Sequence, residues 1–183
     1  LELPPPCPDP LRKATPTPRP SGARADHQET AEDVSFFAVF PQSQKRTWQA
    51  ASKDAKRALG TVKKVEQEYK IDTKRIYLTG LSMGGFGTWS LVAKYPERWA
   101  AIAPICGGGD PAKAATIKDI PCWCFHGGQD KVVALSKSRA MIKALKDAGG
   151  DPQYTEYPGV GHNSWDPAYA TSDLYEWFLK HKK

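Results

Sequence analysis

Three residues in this chain have side chains suited to acyl-transfer chemistry and sit where a chain turns out of an apolar stretch: Ser82, Asp130 and His162. Ser82 lies in "RIYLTGLSMGG" (75–85), between Gly80 and Gly84 in a G-x-S-x-G pattern. Asp130 follows "IPCWCFHGGQ", and His162 follows "YTEYPGVG". A serine hydroxyl is a weak nucleophile near neutral pH and needs a base within hydrogen-bond reach. Imidazole can take that proton and later return it to a leaving group. A carboxylate can hold the ring in the required tautomer and stabilise the imidazolium. The G-x-S-x-G pattern alone is weak, because three fixed letters recur by chance in a chain with 15 glycines. Its weight depends on the elements that carry it.

Those elements read as alternating strand and helix. "VSFFAVF" (34–40) is an apolar run stopped by Pro41, as a buried parallel strand would be. Residues 48–69 carry Ala55, Leu59, Val62, Val65 and Tyr69 at three- and four-residue spacing, the pattern of an amphipathic helix. Strands are expected at 75–80, 99–105, 120–127 and 152–158, with helices from Met83 to Lys94, over "ALSKSRAMIKALKDAGG" with its glycine stop, and from Ala168 to His181. The alternation predicts an α/β fold, a mostly parallel sheet of about five strands flanked by helices through right-handed crossovers. In open α/β sheets, functional groups gather beyond the carboxyl ends of the strands. Ser82, Asp130 and His162 leave three such ends in that order, which is a stronger signal than the pentapeptide. The glycines beside Ser82 suit a sharp strand-to-helix turn, and the Met83 N–H at the helix start is placed to donate to an oxyanion. His126, in "HGG" at a strand end, is a rival base that reads better as a structural turn histidine.

Composition frames this reading. The chain has 183 residues and a net charge of +6, with 40% hydrophobic and 25% charged residues, the make-up of one globular domain. No run approaches the roughly 18 apolar residues of a membrane span. It begins at Leu1 with no basic-then-apolar leader, a start compatible with a mature form or a fragment. Residues 1–33 form a proline-rich arm, with half of the 16 prolines in the first 20 positions, and 34–183 the catalytic domain. Ten Lys/Arg stand against four Asp/Glu from Lys45 to Arg75. A solvated helix face accounts for them, since no nucleic-acid-binding signature accompanies the charge. Cys122 and Cys124 share one face of a strand and cannot readily bond each other. A disulfide from Cys106 to one of them is an open alternative, and the C-x-C pattern is a weak zinc signal, so no metal or other cofactor is expected.

From about Phe36 to Lys180 the chain resembles the α/β-hydrolase superfamily, in its small esterase and predicted-peptidase branch with dienelactone-hydrolase-like and feruloyl-esterase-like members. "FPQ" (40–42), "YKIDTKRIYLTGLSMGGFGTW" (69–89), "YPERWAAIAPICGGGDP" (95–111), "IPCWCFHGGQDKVV" (120–133) and "YPGVGHNSWDPAY" (157–169) carry the resemblance. It implies Ser82 as nucleophile, Asp130 as acid, His162 as base and Met83 as an oxyanion donor. Gln42 and Trp165 are candidates for the substrate pocket, Trp165 equally as a packing anchor, and the 106–110 loop is a third lining element. One departure stands out. The earlier strand whose His-Gly loop supplies a second oxyanion donor has no counterpart, which predicts a reduced sheet covered by the arm or by a second copy of the chain.

The expected activity is that of a serine carboxylesterase on short acyl esters, a small-molecule substrate, with neither nucleic acid nor membrane as partner. A serine peptidase and a non-catalytic protein on a decayed hydrolase fold are the alternatives. Localisation is open, with a secreted or periplasmic setting favoured over the cytoplasm.

Overall fold

The structure, a computed structural model, describes residues 36–183. The proline-rich arm (1–33) and the first two residues of the expected 34–40 strand lie outside the described residues. The chain divides into two units, Leu1–Gln42 and Ser43–Lys183. In the first, residues 36–42 have no regular secondary structure, and Phe37 and Phe40 are 52% and 71% exposed. The strand expected at 34–40 is therefore not formed over its described part. An apolar run alone does not make a strand, because a strand also needs a regular ladder with a neighbour, and residues 36–40 are irregular backbone.

The second unit carries the fold. Helix α1 (Lys53–Glu68) leads to strand β1 (Tyr77–Leu81), helix α2 (Met83–Lys94), β2 (Ala101–Ile105), the short α3 (Ala114–Ile117), β3 (Trp123–Gly127), α4 (Ser136–Asp147), β4 (Gln153–Tyr157), α5 (Trp165–Ala170) and α6 (Ser172–Lys180). Among the described residues the sheet has four parallel strands in the order β1-β2-β3-β4, one fewer than the sequence suggests. Because each strand is added on the same side of the last, right-handed crossovers stack α2, α3 and α4 on one face.

Period-two alternation in the strands divides the core accordingly. Leu78, Ile102, Cys122, Cys124 and Tyr154 face α1 to α4, packing with Trp89, Val92, Met141 and Leu145. Tyr77, Ala101, Ala103, Ile105, Phe125 and Tyr157 face α5 and α6, packing with Ala168, Leu174, Trp177 and Phe178. Trp89 and Phe125 are almost wholly buried. Each contributes roughly 1.5–3 kcal/mol or more by leaving water.

Local chemistry sets the boundaries. α1 starts at Lys53 rather than Trp48 because Ser52 caps it, its hydroxyl accepting from the Ala55 N–H at 3.1 Å. Asp54, buried in the first turn, accepts from Ser43 Oγ at 2.6 Å and the Lys45 N–H at 2.7 Å, and pairs with Arg57. These bonds tie the lead-in segment to the helix. The basic side chains of α1 (Lys53, Lys56, Arg57, Lys63 and Lys64) are exposed while Ala55 and Val65 are buried, the pattern of a solvated helix face. α4 ends before Gly149, whose φ of 88° is the left-handed stop that the sequence predicts. The closing helix is two helices, broken where Thr171 adopts an extended conformation. No helix among the described residues is long and apolar enough to cross a membrane.

Candidate active site

Strand β1 ends at Leu81 and α2 begins at Met83, so a single residue, Ser82, turns the chain from one to the other. It does so at φ 50° and ψ −114°. A non-glycine residue with such angles costs on the order of 1–3 kcal/mol and needs the surroundings to enforce it. Here the Ser82 N–H is held by the Ile105 carbonyl at 3.0 Å and by Cys106 Sγ at 3.3 Å. Gly80 supplies the room, because a Cβ there would lie 2.6 Å from the backbone of Gly84. Gly84 itself meets no such restriction, with nothing within 4 Å of its built Cβ. The steric demand of the motif thus falls on its first glycine and on Ser82, and the hydroxyl is raised beyond the sheet's carboxyl edge.

Asp130 and His162 reach that edge on loops locked together. The Gly128 N–H donates to Tyr157 O at 2.8 Å and the Gln129 N–H to Val160 O at 2.9 Å. Gly127 makes the approach close, since a Cβ there would lie 2.0 Å from Gly161 O. The result is a continuous chain of side chains. His162 Nε2 is 2.9 Å from Ser82 Oγ, and His162 Nδ1 is 2.8 Å from Asp130 Oδ2.

Asp130 Oδ1 accepts from the Val132 and Val133 N–H groups at 2.8 and 2.9 Å, and its side chain is shielded from solvent. Burial pushes its carboxyl pKa up, but the bonds from His162, Val133 and Val132 outweigh burial and hold it below the usual range. The group is therefore an anion at neutral pH, aimed at the imidazole. That requires Nδ1 of His162 to carry the proton and leaves Nε2 free to accept from Ser82. Trp165, at the start of α5, meets the His162 ring edge-on, centroids 5.3 Å apart and planes at 90°. It also packs against the α5–α6 core. Met83 opens α2, so its N–H is among those with no acceptor inside the helix. Gln42 is exposed, lies in irregular backbone and belongs to the first unit.

Sequence reasoning missed the part played by Cys106. It follows β2 in the left-handed region at φ 39°, fully buried, with its sulfur against the Ser82 N–H. Its setting before "GGG" was the available signal. Cys106 faces the α5–α6 side of the sheet and Cys122 and Cys124 the other, and all three are free thiols, so the Cys106 disulfide is not formed. Cys106, Asp130 and His162 bring ligand-type atoms within 4.8 Å of one another. Burial raises the Cys106 thiol, however, and the other two groups are committed to each other, a donor set suited to hydrogen bonding rather than to a metal.

Known proteins resemble this chain over most of its length. The bifunctional acetylxylan esterase/xylanase of Neocallimastix patriciarum is 29% identical over 168 residues, covering 86% of this chain and 25% of that protein. The poly(3-hydroxyalkanoate) depolymerase C of Paucimonas lemoignei is 34% identical over 113 residues, covering 54% of this chain and 27% of the relative. Among solved structures, a thermostable esterase superposes with a TM-score of 0.71 at 39% identity, over 75% of this chain and 41% of that one. The fold is accordingly that of the α/β-hydrolases. The chain spans about a quarter of the length of those two curated relatives. A family model described as "Dienelactone hydrolase family" matches residues 21–172.

Proposed function

The chain belongs to the dienelactone hydrolase family, and from that premise we propose that it is a serine carboxylesterase acting on short-chain acyl esters. The observation that carries this reading is the unbroken path Ser82 Oγ, His162 Nε2, His162 Nδ1, Asp130 Oδ2, with links of 2.9 and 2.8 Å. Ser82 attacks the ester carbonyl while His162 Nε2 takes its proton. Asp130 stabilises the imidazolium, and the Met83 N–H faces the developing oxyanion. Collapse expels the alcohol, protonated by His162, and leaves an acyl group on Ser82. Water, deprotonated by the same nitrogen, then releases the acid.

Short acyl groups suit the surroundings of the nucleophile. Leu81 and Met83, on either side of Ser82, are 37% and 38% exposed, and Val132 beside the acid is 73% exposed. These exposed apolar side chains offer shallow contact that a short acyl group can use. The names of the relatives point the same way, one being called an acetylxylan esterase and another a depolymerase of a polyester. The test is a series of p-nitrophenyl esters from acetate to laurate, with an alanyl p-nitroanilide beside them. The expected result is the highest kcat/KM on acetate or butyrate and a fall beyond. A maximum at laurate, or anilide cleavage as fast as acetate, would overturn the proposal.

A further inference from the structure

One buried imidazole takes no part in the proton path above. His126, in β3, is wholly shielded from solvent. Its Nε2 lies 3.0 Å from the Val133 carbonyl oxygen and 3.2 Å from Asp130 Oδ2. Both are acceptors while Asp130 is ionised, so Nε2 carries a proton and donates it. Its Nδ1 lies 2.7 Å from Ser138 Oγ in α4, itself buried and 3.1 Å from the Gly107 carbonyl oxygen.

We propose that His126 is a positioning residue for the acid, its Nε2–H sharing with His162 Nδ1–H the same oxygen of Asp130. The proposal rests on the esterase reading of Ser82, His162 and Asp130. With His126 counted, the carboxylate faces four N–H groups: Val132 and Val133 donate to Oδ1 and His162 to Oδ2, while the His126 Nε2–H, bonded to the Val133 carbonyl, stands 3.2 Å from Oδ2. It cannot rotate without breaking bonds at both oxygens. The second donor also draws charge from Oδ2, so the Nδ1 proton of His162 stays on the ring and Nε2 stays available to Ser82. The single Ser138 hydroxyl proton serves the bare Nδ1 of a ring whose Nε2 is protonated, so Ser138 fixes the orientation of the His126 ring from α4. The acid is thus braced by a strand end and a helix, rather than by its own turn alone.

The experiment compares wild type, His126→Gln, His126→Met and Ser82→Ala in the full chain on p-nitrophenyl acetate. Glutamine presents an amide N–H near the place of Nε2; methionine has similar reach and no donor. Losing a hydrogen bond to a charged group predicts a kcat about 10- to 100-fold lower for His126→Met, with KM unchanged because His126 touches no substrate. His126→Gln should recover most of that loss. Equal kcat in the two His126 variants, or a change confined to KM, would overturn the proposal. Ser82→Ala with wild-type activity would instead strike the esterase reading beneath it. Nitrogen-15 NMR of histidine-labelled wild type tests the proposal even if the methionine variant does not fold. A protonated Nε2 on His126 is expected, and a bare Nε2 would overturn it.

Discussion

Replacing Asp130 with asparagine changes one atom of the carboxylate and should nearly abolish catalysis. The two oxygens are not equivalent. Oδ1 faces two backbone donors, Val132 N–H at 2.8 Å and Val133 N–H at 2.9 Å. Oδ2 faces His162 Nδ1 at 2.8 Å and His126 Nε2 at 3.2 Å. An asparagine that turned its NH2 toward Val132 and Val133 would leave two donors facing donors that cannot move. On the other side the NH2 meets one fixed donor, the His126 Nε2–H held by the Val133 carbonyl, and one ring, His162, whose proton can move, so the amide keeps its oxygen on the backbone side and turns its NH2 toward His162. That forces Nδ1 of His162 to accept and puts the ring proton on Nε2, facing Ser82 Oγ. A base in that tautomer cannot take the serine proton. The expected loss is about 10⁴-fold in kcat, or about 5 kcal/mol of barrier, with KM within a few-fold of wild type. The assay is p-nitrophenyl acetate hydrolysis, with circular dichroism to show that the variant folds. A folded Asp130→Asn protein within tenfold of wild type would refute the assignment of the His162 tautomer.

Three further outcomes follow from the same geometry. Gly127→Ala would place a Cβ 2.0 Å from Gly161 O, so the His162 loop must move; kcat should fall about 100-fold, and an unchanged rate would mean that this contact does not seat the base. Cys106, Cys122 and Cys124 are buried, and burial pushes the Cys124 thiol up to about 12. At about pH 8.5 only ~1 in 3,000 of the Cys124 thiols is ionised, so iodoacetamide should leave it unmodified in the folded protein, and mass spectrometry showing labelling at a free-cysteine rate would contradict this. Asp54, through Ser43 and Lys45, and Asp130, through bonds that outweigh its burial, are held below the usual carboxylate range when folded. The unfolded chain then binds more protons in acid, so their stabilisation is full above the ordinary carboxylate pKa near 4 and is lost as pH falls through the folded values. The urea midpoint should drop from about pH 7 to about pH 3, less steeply in Asp54→Asn, and a flat profile would refute it.

Much of the fold was legible because three of the four described strands are largely apolar runs closed by turn residues. The helix from Met83 to Lys94 has the bounds that the sequence predicts. The exits of Ser82 and Asp130 were legible for the same reason, and that of His162 because Pro158 and Gly159 close the mixed Gln153–Tyr157 strand before it. What was not legible depends on partners distant in sequence. "VSFFAVF" reads as a strand, but strand formation depends on a neighbouring ladder, and its described part, residues 36–40, is irregular backbone. The break at Thr171 is marked only by Thr171, Ser172 and Asp173, cap-type and acidic residues of a helix start set inside an otherwise continuous helical pattern. The place of His126 beside Asp130 was equally hidden, because a four-residue spacing across a turn says nothing about which atoms meet. The strain at Ser82 could be guessed from its glycines, yet Gly84, the glycine that completes the motif, is not one that crowding requires.

The central claim is that Ser82 is a nucleophile activated by His162, and a fluorophosphonate probe tests it most directly. Wild-type protein should gain one adduct, located on Ser82 by peptide mass spectrometry, with loss of p-nitrophenyl acetate hydrolysis in step with labelling. Ser82→Ala and His162→Ala should neither label nor turn over. Labelling at another residue, or hydrolysis by Ser82→Ala at the wild-type rate, would contradict the account.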